Sequence, residues 1–180
     1  MRQLSLVGLV VACLASAAMA QAQGQAPKPY PELSKFNVAI GTWRFDTEIK
    51  GSAVLPAGRI SGTERFEWLP GGFFMQMTRE AKGPKADVRT LIVYRYDPAA
   101  RAYIAALFHN AGVFETATIT IEGNIWTWVG TGNTGDGKPL HERCTMTYAP
   151  NGQSCKVKCD ASTDGKIWAP LATGTYTKVK

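Results

Sequence analysis

Leu33, Phe36 and Ile40 recur on one side of a short stretch, and at Gly41-Thr42-Trp43 the pattern changes. From there Trp43, Phe45, Thr47 and Ile49 alternate strictly with Arg44, Asp46, Glu48 and Lys50. The first spacing predicts a helix over 32–40 and the second a half-buried strand that begins with a bulky ring. Alternation then returns again and again. Strands are expected at 59–69, 73–80, 88–96, 101–108, 113–121, 125–129, 140–148, 154–162 and 172–178. No amphipathic helical pattern of useful length occurs among them.

The breaks between strands carry turn chemistry. Leu69-Pro70-Gly71-Gly72 and Glu122-Gly123-Asn124 are Pro- and Gly-based turns, and Asp97-Pro98 has the Asp-then-Pro order of a type I turn. A Gly-rich stretch, Gly130 to Lys138, is expected to be a flexible hairpin loop at a barrel mouth. About ten short strands in tight hairpins predict an all-β fold: a single antiparallel up-and-down β-barrel, with the short helix closing one end. Closure hides the sheet edges, which a flat sandwich, the alternative, would leave open.

One hairpin fixes its own register. If the paired residues of the eighth and ninth strands sum to 303, Cys144 faces Cys159, Met146 faces Val157 and Tyr148 faces Cys155 on one side. The other side pairs Thr145 with Lys158, Thr147 with Lys156 and Arg143 with Asp160. A slip of one residue mixes both faces, so the first register is predicted. It sets Cys144 directly opposite Cys159, within reach of a disulfide. Cys155 is then the odd thiol, pointing inward.

The ends of the chain and its charge narrow the setting. Met1-Arg2-Gln3 is basic, Leu4 to Ala17 is apolar and Ala18-Met19-Ala20 is a small-x-small cleavage site. Residues 1–20 therefore read as a signal peptide, and the protein as periplasmic or secreted. Cys13 follows Val10-Val11-Ala12 in a loose lipoprotein box, which makes lipidation the minor alternative. Residues 21–31 are polar and Pro-rich, a flexible lead, and 32–180 form the barrel domain. The formal charge of +6 drops by one with Arg2, and the remaining cations are scattered singly. Without a basic stripe and interleaved aromatics, nucleic acid is not an expected partner. An exported chain meets an oxidising compartment, which favours the disulfide.

Candidate chemistry is sparse. His109 and His141 have no ligand spacing, and a zinc site on Cys144, Cys155 and Cys159 is less economical than a disulfide, so no metal site and no cofactor are assigned. No Gly-x-Ser-x-Gly elbow is present. Gly130-Thr131-Gly132 leads into a strand, which offers no helix N-terminus to a phosphate. Glu64, Glu115 and Glu142 fall on inward parity but could equally lie on the rim, and no catalytic residue is assigned. The aromatic and Met positions say more. Trp43, Phe66, Trp68, Phe73, Met75, Met77, Tyr148 and Val157 fall on the apolar faces of their strands, and Trp126 and Trp128 share a face. A ten-strand barrel is wider than its side chains readily fill, which favours a cavity for a small molecule.

These residues also form a recognisable pattern. Gly41-x-Trp43 after a short plugging helix resembles the start of lipocalins and calycins. Together with Gly62-Thr63, Phe66-Glu67-Trp68-Leu69-Pro70-Gly71-Gly72-Phe73-Phe74, Tyr94-Arg95-Tyr96-Asp97-Pro98, Tyr103 and Asp164-Gly165-Lys166-x-Trp168, it resembles a bacterial family of unknown function, the one numbered 1579. The resemblance implies a lipocalin-like barrel over most of 32–180 and no particular activity. Nitrobindin-type haem barrels, which also begin with Gly-x-Trp, are a more distant likeness. Their axial His lies near the C-terminal end, and the last strand here has none, which argues against haem unless His109 or His141 substitutes. The leading expectation is a barrel that binds a small apolar or amphipathic ligand through Trp43, Phe66, Trp68, Met75, Met77, Tyr103, Trp126, Trp128 and Tyr148. The alternatives are an enzyme with an interior Glu, His or Tyr as acid–base catalyst, and an envelope protein-interaction module.

Overall fold

The computed structural model describes residues 27–51 and 56–179. Residues 1–20, expected to be a signal peptide and containing Cys13, and most of 21–31, expected to be a lead, lie outside the described residues. Ten strands, each antiparallel to its neighbours, close into one barrel. They are β1 (Gly41–Ile49), β2 (Gly58–Trp68), β3 (Phe74–Lys82), β4 (Asp87–Asp97), β5 (Ala102–His109), β6 (Phe114–Glu122), β7 (Ile125–Asn133), β8 (Pro139–Tyr148), β9 (Ser154–Ser162) and β10 (Ala169–Val179). Each strand pairs with the next in the chain, and β10 returns to β1 through pairs such as Thr42–Val179 and Ile49–Ala172. The sandwich alternative is thereby excluded: neither β1 nor β10 is left as an edge.

The helix before β1 is a 3-10 helix, Pro31–Val38. Pro31 supplies a pre-set φ at its start, and the Leu33 N–H donates to the Tyr30 carbonyl three residues back, at 3.0 Å. Three residues per turn places Leu33, Phe36 and Ala39 in one line, and all three are buried. The sequence spacing anticipated a stripe through Ile40; the tighter winding moves the buried position to Ala39 and leaves Ile40 half-buried. The Trp43 indole N–H donates to the Ala39 carbonyl at 2.7 Å, and the Tyr103 hydroxyl donates to the Glu32 carbonyl at 2.9 Å. These bonds hold the helix across one end of the barrel. Phe36 is its anchor, with its ring centroid 5.0 Å from Tyr103 and 5.5 Å from both Tyr94 and Trp126.

The β8–β9 hairpin has the predicted register, with Cys144–Cys159, Met146–Val157, Tyr148–Cys155 and Arg143–Asp160 paired. Cys144 and Cys159 form a disulfide, and Cys155 is a buried free thiol. On the outer face the Arg143 guanidinium donates to Asp160 Oδ2 at 3.0 Å and lies 4.5 Å from the Trp168 ring centroid.

Two expected boundaries are corrected. The seventh strand does not end at Val129: Gly130 to Asn133 continue it, paired with Ala117 to Phe114 on β6, and only residues 134–138 form the loop. Glycine belongs there because the neighbours come close. A Cβ on Gly132 would collide with the Phe114 carbonyl oxygen, and one on Gly130 with the Glu115 carboxylate. The last strand begins at Ala169, three residues early, because it resumes pairing with β9 on both sides of an irregularity between Pro170 and Ala172.

Candidate functional site

The barrel interior has two zones. At the end under the 3-10 helix, aromatic side chains fill it. Trp126 and Tyr148 lie 4.9 Å apart, centroid to centroid, and Trp43 packs edge-on to Tyr148 at 5.8 Å. Beyond this floor a cavity of about 780 Å³ runs toward the opposite end. Its far rim is formed by residues 83–88, 109–111 and 134–136, together with Pro56.

Of the residues assigned to ligand contact from sequence, Trp43, Phe66, Met77, Trp126, Trp128 and Tyr148 border the cavity. Trp68, Met75 and Tyr103 are outside its lining. Trp68 is 6.4 Å and Tyr103 is 5.0 Å from Phe36, and Met75 is fully buried in the core. These three belong to the packing under the helix. Phe45, Tyr94 and Tyr176 border the cavity without having been assigned to it, although Phe45 follows directly from the Trp43–Phe45–Thr47 alternation.

The upper wall carries the ionisable groups. Glu64, Glu115 and Glu142 all point inward and border the cavity; none is on the outer rim. Glu64 is satisfied: its cross-strand partner Arg79 donates Nε–H to Glu64 Oε1 at 2.8 Å. The Arg79 guanidinium also lies 5.0 Å from the Phe45 ring centroid. Burial works against the Arg79 charge, but the Glu64 carboxylate outweighs it and strengthens the arginine's hold on its proton. Arg79 was legible only through parity, as the third inward step after Met75 and Met77. Its partner is fixed by the β2–β3 register.

Glu115 and Glu142 have no such cation. Glu115 Oε1 accepts the Trp128 indole N–H at 2.6 Å and lies over Gly130, where any side chain would displace it. Burial pushes the Glu115 carboxyl above its ordinary range, and the indole bond offsets this in part. Glu142 pairs across the sheet with Gly130. Burial first, and the nearby Glu115 second, push Glu142 up to about 8, with Arg79 pulling the other way. The interior therefore holds two carboxyl groups that resist being charged together.

Other polar groups complete the wall. His109 Nδ1 accepts the Ala111 N–H at 2.9 Å, and burial and the Arg79 charge push the ring's pKa down. The neutral ring thus carries its proton on Nε2. The Thr90 hydroxyl borders the cavity, and it is buried and without a hydrogen-bond partner among the described residues. Cys155 is no nucleophile here, because burial raises its thiol to about 12. His141 does not border the cavity; its ring lies beside Gly165. No three His, Cys, Asp or Glu side chains gather as a metal would need among the described residues. β10 contains no imidazole, so the axial position of the haem barrels has no counterpart on that strand.

Residues 28–178 match the family model described as "Protein of unknown function (DUF1579)". The chain belongs to this family. The DUF1579 barrel is similar to the crystal structure of Rv2717c from M. tuberculosis, at 14% identity and a TM-score of 0.61, over 85% of this chain and 100% of that one. It is also similar to the S-type phycobiliprotein lyase CPES from Guillardia theta, at 12% identity and a TM-score of 0.53, over 82% and 92% of the two chains. At these identities the likeness concerns the barrel alone. No curated protein matches the DUF1579 chain significantly in sequence. Among its described residues no helix is long and apolar enough to cross a membrane.

Proposed function

We infer that this protein binds a small molecule with an apolar body inside the barrel, between the aromatic floor and the polar upper wall. The observation that carries this reading is the cavity of about 780 Å³ within a closed barrel. Its size falls within the roughly 300–1,000 Å³ of small-molecule sites. A barrel serving only as a rigid module has no need of an unfilled interior, because side chains fill it at lower cost. We also propose that residues 1–20 direct export and that the mature chain works in the periplasm or outside the cell, where the Cys144–Cys159 bridge is stable.

Native mass spectrometry of mature protein from an exporting host tests both points. A reproducible extra mass, lost on denaturation, is expected, and the intact mass should begin after Ala20. A clean unliganded mass, together with no thermal shift across a panel of apolar and amphipathic compounds, would end the binding reading. An uncleaved N-terminus would end the export reading.

The Glu115–Glu142 pair favours a second reading, acid–base catalysis, because one of two coupled carboxyls can keep a proton near neutral pH. Under this reading the wild type alters its bound molecule chemically and Glu142→Gln does not. Recovery of the same unaltered molecule from both proteins would exclude it.

A further inference from the structure

The charges in the cavity do not balance. Glu64 and Arg79 neutralise each other through their ion pair. Glu115 has a single neutral donor, the Trp128 indole, and no described side chain donates to the Glu142 carboxyl. Thr90 adds a buried hydroxyl with no partner among the described residues, facing the same cavity. The remaining ionisable groups do not supply a cation to the pair. His109 is neutral. The phenols of Tyr94, Tyr148 and Tyr176 and the Cys155 thiol are held protonated by burial. At the mouth, Asp87 is paired with Lys82 and Asp136 with Lys138. Among the described residues, Lys85 is the one cation on the lining without a carboxylate partner, and it is exposed.

The wall beside the two carboxyls holds them close together. Gly130 and Gly132, inward positions of β7 without side chains, leave the room that Glu115 of β6 occupies, and Glu142 and Leu140 of β8 lie on their other side. Trp128 and Tyr94 border the same cavity, packed edge to face with ring centroids 6.4 Å apart. Aromatic faces attract organic cations through their quadrupoles. A desolvated carboxylate gains from a charge-assisted hydrogen bond. A metal ion would need more ligating groups than gather here, and an anionic head would meet the two carboxyls unfavourably.

We propose that the cavity selects amphipathic organic ammonium compounds, with the apolar body on the aromatic floor, the cationic head between Glu115 and Glu142, and the Thr90 hydroxyl as a further acceptor. This rests on the binding reading above and names its ligand class. The bound cation takes the place of the proton that Glu142 otherwise keeps. Binding therefore releases up to one proton at neutral pH and tightens as the pH rises toward 8.

Three probes share one ring system and differ only in the head: naphthylethylammonium, naphthylethanol and naphthylacetate. Their affinities are measured by isothermal titration calorimetry in two buffers of different ionisation heat. The ammonium should bind at least about tenfold more tightly than the alcohol, the worth of one charge-assisted hydrogen bond, and the acetate most weakly. Heats that differ between buffers should report the released proton. Glu115→Gln and Glu142→Gln should each erase most of the ammonium preference while leaving alcohol binding, which also shows that the variants are folded. Equal or tighter binding of the alcohol or the acetate by the wild type would overturn the head-group assignment and leave the binding reading standing. A preference that survives in both Gln variants would overturn the role of the carboxyls. Absence of binding by all three probes would count against the binding reading itself, and the ligand class would fall with it.

Discussion

Glu142 lies between Leu140 and Cys144 on the inward face of β8, opposite a glycine and close to a second carboxyl. Its ordinary pKa of 4.5 becomes about 8 in the folded chain. Between those values the native state holds a proton that the unfolded state has released, so stability falls as the pH rises through that window. The group costs nothing below about 4.5 and its full cost is reached above about 8. Urea denaturation at a series of pH values should show Glu142→Gln gaining on the wild type steadily between pH 5 and 8; parallel curves would mean that Glu142 is solvated. Gly130 belongs to the same argument. Alanine there would meet Glu115 Oε1 and Trp128 Nε1 and break their bond, at a cost of about 1–3 kcal/mol. Adding Glu115→Ala clears the space, so the double variant should be less destabilised than the sum of its parts. Additive losses in denaturation would show that the clash is relieved elsewhere. Neither effect is visible in sequence. Parity placed Glu115 and Glu142 on inward positions, but their mutual proximity depends on β7 running between them without side chains.

The elements differ in how far their sequences announced them, and the reason is local. The β8–β9 hairpin could be read to the residue because its two faces are chemically unlike: Cys, Met, Tyr and Val on one, Thr, Lys, Arg and Asp on the other. β7 was cut short because Gly130 and Gly132 look like turn residues. Their role, giving space to Glu115 and to the Phe114 carbonyl, requires the neighbouring strand to be in place. The helix was located correctly, but its stripe through Leu33, Phe36 and Ala39 belongs to three residues per turn. Two consequences can be measured. The Cys144–Cys159 bridge spans a separation of 15 residues, and replacing both cysteines by Ala should lower stability by about 3 kcal/mol on chain-entropy grounds. The barrel should persist, because the Arg143–Asp160 pair and the apolar face still set the register. An unchanged urea midpoint would show that the bridge constrains nothing in the unfolded chain. Phe36 is fully buried among Tyr94, Tyr103 and Trp126, and Phe36→Ala should cost about 3–5 kcal/mol. A loss under about 1 kcal/mol would mean that the floor collapses into the space.

At the scale of the whole molecule the defining contact is between the two ends of the barrel. β1 pairs with β2, its neighbour in the chain, and with β10, at the other end of the barrel. Nine of the ten strand junctions are between consecutive strands, and only the tenth requires a chain of this length to return on itself. This last pairing removes the two edges that would otherwise be exposed. It also places Gly174 against Thr47, where a Cβ would collide with the Thr47 side chain, and sets Phe45 on Tyr176, stacked at 5.1 Å. Lys178 reaches across the closure to donate to the Val38 carbonyl at 3.1 Å, which ties the last strand to the 3-10 helix. The cavity depends on the same junction, since Trp43, Phe45, Leu171 and Tyr176 from β1 and β10 all line it. Deleting 169–180 would therefore expose the edges of β1 and β9, open the cavity wall and release one anchor of the helix. The truncated chain should lose its near-UV circular dichroism and associate, even with the Cys144–Cys159 bridge intact. A monomer that kept native near-UV signals would show that β1 to β9 can close without the last strand.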